Sequence, residues 1–225
     1  MAIRLEKGQK INLEKSGGSK LTRFCVGCNW GAIKTPRMGG LLGAKTEDVD
    51  LDLSCIMSDA AGNLCDHLYS PAFNPEVLAK LGLPPGKLDS ADRALHHSGD
   101  DRTGDTDGDD GLDNEIITVD LNRVRPEVQQ IFFFLNIYIH GDVNWDFSQI
   151  PYAAIRMYEG TPDKVQTVFA QYDVAASPQY KGMHALIMGK LYRRGGEWKF
   201  AAIGDAFPDR NIVQTIKRIL QSYTR

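Results

Sequence analysis

Short runs in which apolar and polar side chains alternate, broken by glycine, proline and asparagine, dominate the chain and predict strands. Ile3, Leu5, Ile11 and Leu13 alternate around Gly8, which predicts a short hairpin. Residues 21–30 form a second run, closed by Asn29-Trp30-Gly31. In residues 49–57, Asp50, Asp52 and Ser54 share one strand face while Leu51, Leu53 and Cys55 share the other. Residues 59–63 read as a turn and 64–69 as the returning strand. Residues 115–121 and 130–139 follow as strands, the second so apolar that it belongs at the centre of a sheet. Residues 153–158, 165–173, 185–193 and 197–203 complete the set, with a tight turn at Arg194-Gly195-Gly196.

Two segments break this rhythm. Residues 70–95 contain four prolines, and Pro75 opens a short helix over 75–81. At the end, Ile212, Val213, Ile216, Ile219, Leu220 and Tyr223 follow helical spacing behind a candidate cap, Asp209. Lys217, Arg218 and Arg225 lie where the helix dipole favours cations. This helix is expected to close the fold by packing. Residues 35–45, rich in glycine and basic side chains, read as an exposed loop. With no internal repeat and no linker, the expectation is all-β: one β-sandwich domain over 1–225, with a few short helices and a C-terminal helix.

Composition changes the picture in one place. The net charge of −3 hides a window, 99–115, that carries −7, leaving +4 on the rest of the 225 residues. The most apolar stretch, 131–139, is far short of the roughly 20 residues that span a bilayer. The first residues lack the apolar run of a signal peptide, so a cytoplasmic protein without membrane insertion is expected. Cys25, Cys28, Cys55 and Cys65 fit reduced strand cysteines better than zinc, because only the first pair has a zinc-like spacing.

The acidic window is dense in Asp and hinged by Gly104, Gly108 and Gly111. Carboxylates 4 Å apart repel by about 1 kcal/mol even in water. A calcium ion resolves this, since it takes six to eight oxygen ligands and tolerates backbone carbonyls. The window holds charge enough for two ions. It is not an EF-hand: counted from Thr103, the twelfth position is Asn114 instead of Glu, and no helix pattern flanks it. A solvated acidic loop that binds nothing is the bland alternative.

These residues resemble a known family. Lys7-Gly8-Gln9-Lys10-Ile11-Asn12-Leu13, then Val49-Asp50-Leu51-Asp52 with Ser54-Cys55, are similar to the TerD family of bacterial tellurium-resistance and stress proteins. So are His97-Ser98-Gly99-Asp100-Asp101, Thr103-Gly104, Asp107-Gly108-Asp109-Asp110 and the late Gly196-Glu197-Trp198-Lys199-Phe200. The resemblance implies a cytoplasmic, calcium-binding β-sandwich acting in tellurite resistance alongside other resistance or stress proteins. It marks Asp50, Asp52, Asp100, Asp101, Asp107, Asp109, Asp110 and Glu115 as metal ligands. Gly111-Leu112-Asp113-Asn114 intervenes where the common motif places Glu directly after the paired aspartates, so Asp113 and Asn114 join the candidates.

Three functions follow, in order. The first is a non-enzymatic, calcium-dependent scaffold or sensor. The second is a metal-dependent hydrolase with His96 or His97 as base; on a strand the two point to opposite faces, so at most one meets a metal. The third, nucleic-acid binding through Arg23, Lys34, Arg37 and Lys45, is disfavoured because the basic stretch is sparse.

Overall fold

The computed structural model describes residues 3–14, 18–36, 44–139, 145–174 and 177–224. Chain order gives β1 (Ile3–Arg4), β2 (Lys10–Asn12), β3 (Arg23–Trp30), β4 (Ile33–Pro36), β5 (Ala44–Glu47), β6 (Leu51–Ser58) and β7 (Leu64–Leu68). Then come α1 (Pro75–Lys80), β8 (Leu95–His97), β9 (Glu115–Asp120), β10 (Gln130–Ile137), β11 (Ala153–Thr161) and β12 (Lys164–Asp173). β13 (Ala185–Arg194), β14 (Glu197–Phe207) and α2 (Ile212–Ser222) finish the chain.

The strands form two six-stranded sheets, ordered β1-β12-β11-β3-β9-β8 and β2-β14-β13-β10-β6-β7, beside a β4–β5 hairpin. This is the expected all-β sandwich. Alternation explains the core: Phe24, Val26, Cys28 and Trp30 of one sheet meet Leu51, Leu53, Phe133 and Leu135 of the other. The outer face of the second sheet is covered by α2, where Ile212, Ile216 and Ile219 pack on Phe132, Phe134 and Ile56. Packing is thus the helix's role, as expected.

Several expectations need correction. The pieces around Gly8 do not form a hairpin: β1 pairs in parallel with β12, and β2 pairs with β14 in the other sheet. Each is too short to choose a partner locally. The ends of the predicted 35–45 loop lie in the β4–β5 hairpin, while 37–43, Arg37 included, fall outside the described residues. α2 is capped by Asn211, whose side chain accepts from the Gln214 amide at 3.1 Å. Asp209 is instead ion-paired with Arg218 at 2.6 Å. Cys25 and Cys28, three apart on one strand, face opposite sides, and all four cysteines are free thiols. Among the described residues no helix is long and apolar enough to cross a membrane.

Candidate metal centre

The acidic segment between β8 and β9 crosses one end of the sandwich, where β3 and β10 finish and β6 and β9 start. Backbone bonds stitch it to β3. The Asp105 amide donates to the Trp30 carbonyl at 2.9 Å, the Ala32 amide to the Asp105 carbonyl at 3.0 Å, and the Asn114 amide to the Cys28 carbonyl at 2.9 Å. Gly104, at φ 65°, lies so close to the Trp30 ring that no side chain fits there.

Among the described residues, two groups of three carboxylates approach within 4.8 Å: Asp50, Asp52 and Asp100, and Asp105, Asp109 and Asp110. The first group sits on the outer face of the second sheet. β6 presents Asp52 there because Leu51 and Leu53 point into the core. Asp52 is 4% exposed, and its Oδ2, like Asp50 Oδ1, is buried with no hydrogen-bond partner. Burial, then the Asp100 charge, pushes the Asp50 carboxyl up to about 7. Burial and the Asp50 and Asp100 charges hold Asp52 well above the usual carboxylate range. Among the described residues, the opposite charge paired with this trio is that of Arg102, whose Nε donates to Asp100 at 2.9 Å, and that Arg is largely exposed. Buried acceptors without donors, crowded at one point, match the oxygen set a hard cation requires.

The second group lies towards the first sheet. Asn29 Nδ2 donates to Asp109 Oδ1 at 2.9 Å, Tyr152 Oη to Asp105 Oδ2 at 2.9 Å, and Asn114 Nδ2 to Asp105 Oδ1 at 3.1 Å. Burial, then the bond to Asp105, raises the Tyr152 phenol above its ordinary value, so it stays a donor. This group is more exposed and better hydrogen-bonded than the first.

The remaining sequence candidates divide by role. Asp101 Oδ1 accepts from the Thr103 amide at 2.9 Å and shapes the turn. Asp107 is exposed on the rim of the second group. Asp113 is buried above Gly27 and ion-paired with Arg156 of β11 at 2.9 Å. Burial still raises it to about 6 against the pull of that guanidinium. Asn114 Oδ1 accepts from the Trp30 amide at 2.9 Å. Glu115 points between the sheets, where Oε2 accepts from the Leu53 amide at 2.6 Å and Oε1 from the Asp101 amide at 3.1 Å. Burial, then the Asp52 charge, pushes Glu115 up to about 10. Asp113, Asn114 and Glu115 thus act as the loop's fastenings. Asp105, absent from the sequence candidates, takes a place in the second group; its only sequence signal is membership of the Asp-Gly run.

His97 is buried, with Nε2 donating to the Leu53 carbonyl at 2.7 Å and Nδ1 accepting from the Gly99 amide at 3.0 Å. Both ring nitrogens are engaged by backbone. Burial lowers its pKa, keeping it neutral. His96 is exposed on the other face and bonds Asp89.

The TerD domain profile matches residues 1–218. The chain belongs to the TerD family. Stress response protein SCP2 of Bacillus subtilis is 33% identical over 222 residues, covering 97% of this chain and 99% of that protein. Tellurium resistance protein TerD of Serratia marcescens is 30% identical over 207 residues, covering 92% of each. The TerD sandwich also matches the crystal structure of a homologue of telluride resistance protein from Streptomyces coelicolor, at TM-score 0.59 and 16% identity, over 87% of this chain and 95% of that one. That likeness concerns the fold.

Proposed function

We propose that this TerD-family protein is a calcium-dependent, non-enzymatic scaffold or sensor in tellurite resistance and the stress response, taking two calcium ions at the two carboxylate groups. The observation that carries the reading is Asp52: a buried carboxylate with an unpartnered oxygen, aimed at two further carboxylates. A bound ion supplies the positive charge that lets all three ionise together. The protein's own part is to aim the oxygens. β6 fixes Asp52, the Tyr138 amide holds the Asp50 carbonyl just before that strand, the Asp101 turn brings Asp100 to them, and Asn114 and Tyr152 steady Asp105 for the second ion. Oxygen ligands on a glycine-hinged loop suit calcium better than magnesium, which demands a stricter geometry. The engagement of both His97 nitrogens by backbone gives the hydrolase reading no free base on the metal-facing side.

Calorimetric titration of the metal-free protein with calcium is the test. Two binding events are expected. No uptake at millimolar calcium would overturn the reading.

A further inference from the structure

Both α-helices pack on the second sheet, so among the described residues no α-helix covers the outer face of the first. Along β3 that face carries Arg23, Cys25, Gly27 and Asn29, since Phe24, Val26, Cys28 and Trp30 point into the core. Its two ends have opposite charge. At one end the acidic segment is fastened: Asn29 Nδ2 donates to Asp109 Oδ1 at 2.9 Å, and Asp113 stands over Gly27. Beside these anchors Asp107, Asp109 and Asp110 are exposed, and Leu112 is 40% exposed.

The other end lies about 20 Å away, from Asn29 back to Arg23 at roughly 3.3 Å per residue. There a cavity of about 290 Å³ is lined by Arg23, Arg93 and Arg123 together with one acid, Asp120. Arg23 takes that acid, its Nε donating to Asp120 at 2.9 Å. Among the described residues Arg93 and Arg123 have no carboxylate partner; Arg123 Nη2 reaches the Asp92 carbonyl at 3.4 Å. Arg93 also has φ 53°, a left-handed backbone that costs a residue with a Cβ about 1–2 kcal/mol. Its amide donates to the Ser90 carbonyl at 2.8 Å, so the turn holds this strained residue at the cavity. Such strain recurs where a side chain must be presented to a ligand.

We propose that the arginine cavity receives the exposed aspartates of a second copy of this chain, twice over, across a two-fold axis. Charge complementarity selects the occupant. Two guanidiniums without a carboxylate partner stand at one end of a face whose other end exposes three carboxylates. An axis running across the strands lays two such faces together with their strands antiparallel. Each acidic end then meets the other copy's arginine end, so one surface supplies both halves of a closed dimer. Leu112 packs on the aliphatic stems of the arginines. Regulation of the dimer rests on the calcium reading above: an ion at Asp105, Asp109 and Asp110 cancels two negative charges of the tip and releases the partner.

Sedimentation velocity of the full chain tests this. In EDTA and about 0.01 M salt, where charges act over about 30 Å, a dimer is expected; about 1 M salt, with a reach of about 3 Å, should dissociate it. At the lower salt, saturating calcium should weaken the dimer about tenfold or more. Two charge reversals at exposed positions follow: Arg93→Glu with Arg123→Glu at the cavity, and Asp107→Lys with Asp110→Lys at the tip. Each double variant alone should be monomeric. Their equimolar mixture should dimerise, because both contacts again join opposite charges. The salt and calcium arms use the parent chain and stand whatever the variants do.

A parent that stays monomeric in EDTA at low salt overturns the proposal. If that monomer binds inorganic phosphate and loses it with Arg93→Glu and Arg123→Glu, the cavity is an anion site instead. A parent dimer that either double variant leaves intact overturns it, as do folded variants that fail to pair when mixed. Species growing beyond a dimer replace two-fold pairing by head-to-tail stacking and overturn it as well. A dimer that persists in calcium, with uptake seen by calorimetry, overturns the charge-driven contact. An arginine-dependent dimer of a chain that takes up no calcium overturns the calcium reading alone and supports the contact.

Discussion

The Glu115 carboxylate lies 2.6 Å from the Leu53 amide, so a side chain of one sheet completes the backbone bonding of the other. β7 pairs with β6 only from Cys55 onwards, and Glu115 and His97 take the two groups of Leu53 that a longer neighbour would have bonded. Glu115→Ala strands the Leu53 and Asp101 amides, at about 1–3 kcal/mol each. At about 2–4 °C per kcal/mol for a chain of this size, the melting temperature should fall by roughly 5–20 °C. Thermal unfolding followed by circular dichroism checks it; an unchanged midpoint would contradict the role assigned to Glu115.

Asp52→Asn separates stability from metal binding. The amide mimics the protonated acid, so in EDTA the variant should melt no lower than the parent, while losing one calcium equivalent. For the parent, calcium at a hundred times its dissociation constant should add about 2.7 kcal/mol over EDTA for each site filled. Asp109→Asn with Asp110→Asn should remove the other equivalent and spare the first. A variant that lost both ions at once would argue against two separate sites.

Arg156→Ala should release the loop from β11. Asp113, whose side chain is 0% exposed, would then be a buried carboxylate without its cation, at a cost of about 3–5 kcal/mol. Gly27→Ala should act in the same direction, since any Cβ there collides with the Asp113 carboxylate. Urea denaturation gives both values. Finding both changes silent would show that Asp113 is free to move away.

Acid should destabilise the fold in two steps. Burial lowers the His67 pKa below 6.5. Asp66 is pushed up by burial but held below 3.8 by bonds from Lys87 and the Ala91 and His67 amides. Both folded pKa values are depressed, so each contribution is present above the unfolded value and is lost as pH falls through the folded one. The His67 step therefore lies below pH 6.5 and the Asp66 step below 3.8. Melting temperature against pH should show both, and Asp66→Asn should shrink the lower, which Asp92 and Asp146, also held low by their hydrogen bonds, share.

How much was legible follows from how local each cause is. Strands β6 and β10 were readable because their alternation, Leu51 against Asp52 and Phe133 against Phe134, is imposed by a sandwich with one helix-covered face. β8 was not predicted as a strand: three residues among turns carry no period. β1 and β2 could not reveal that they serve different sheets, because a strand of two or three residues is placed by tertiary pairing. In the site, Asp50, Asp52 and Asp100 were readable from their charge and register. The division of labour between Asp105 and Asp113 was not, since it depends on Tyr152 and Arg156, about 45 residues downstream. Asn29 gave no signal, because a neutral amide on a strand is common.

β6 faces two ways. Its inner side chains, Leu51, Leu53, Cys55 and Met57, are held by the opposite sheet whatever occupies the outer face. On the calcium reading proposed above, loading or unloading an ion would pull only on the crossing segment, with the strand as a fixed anvil beneath it. Under that proposal, a cell that lowered its free calcium would reset such a device within one folded lifetime, with no refolding and no chaperone.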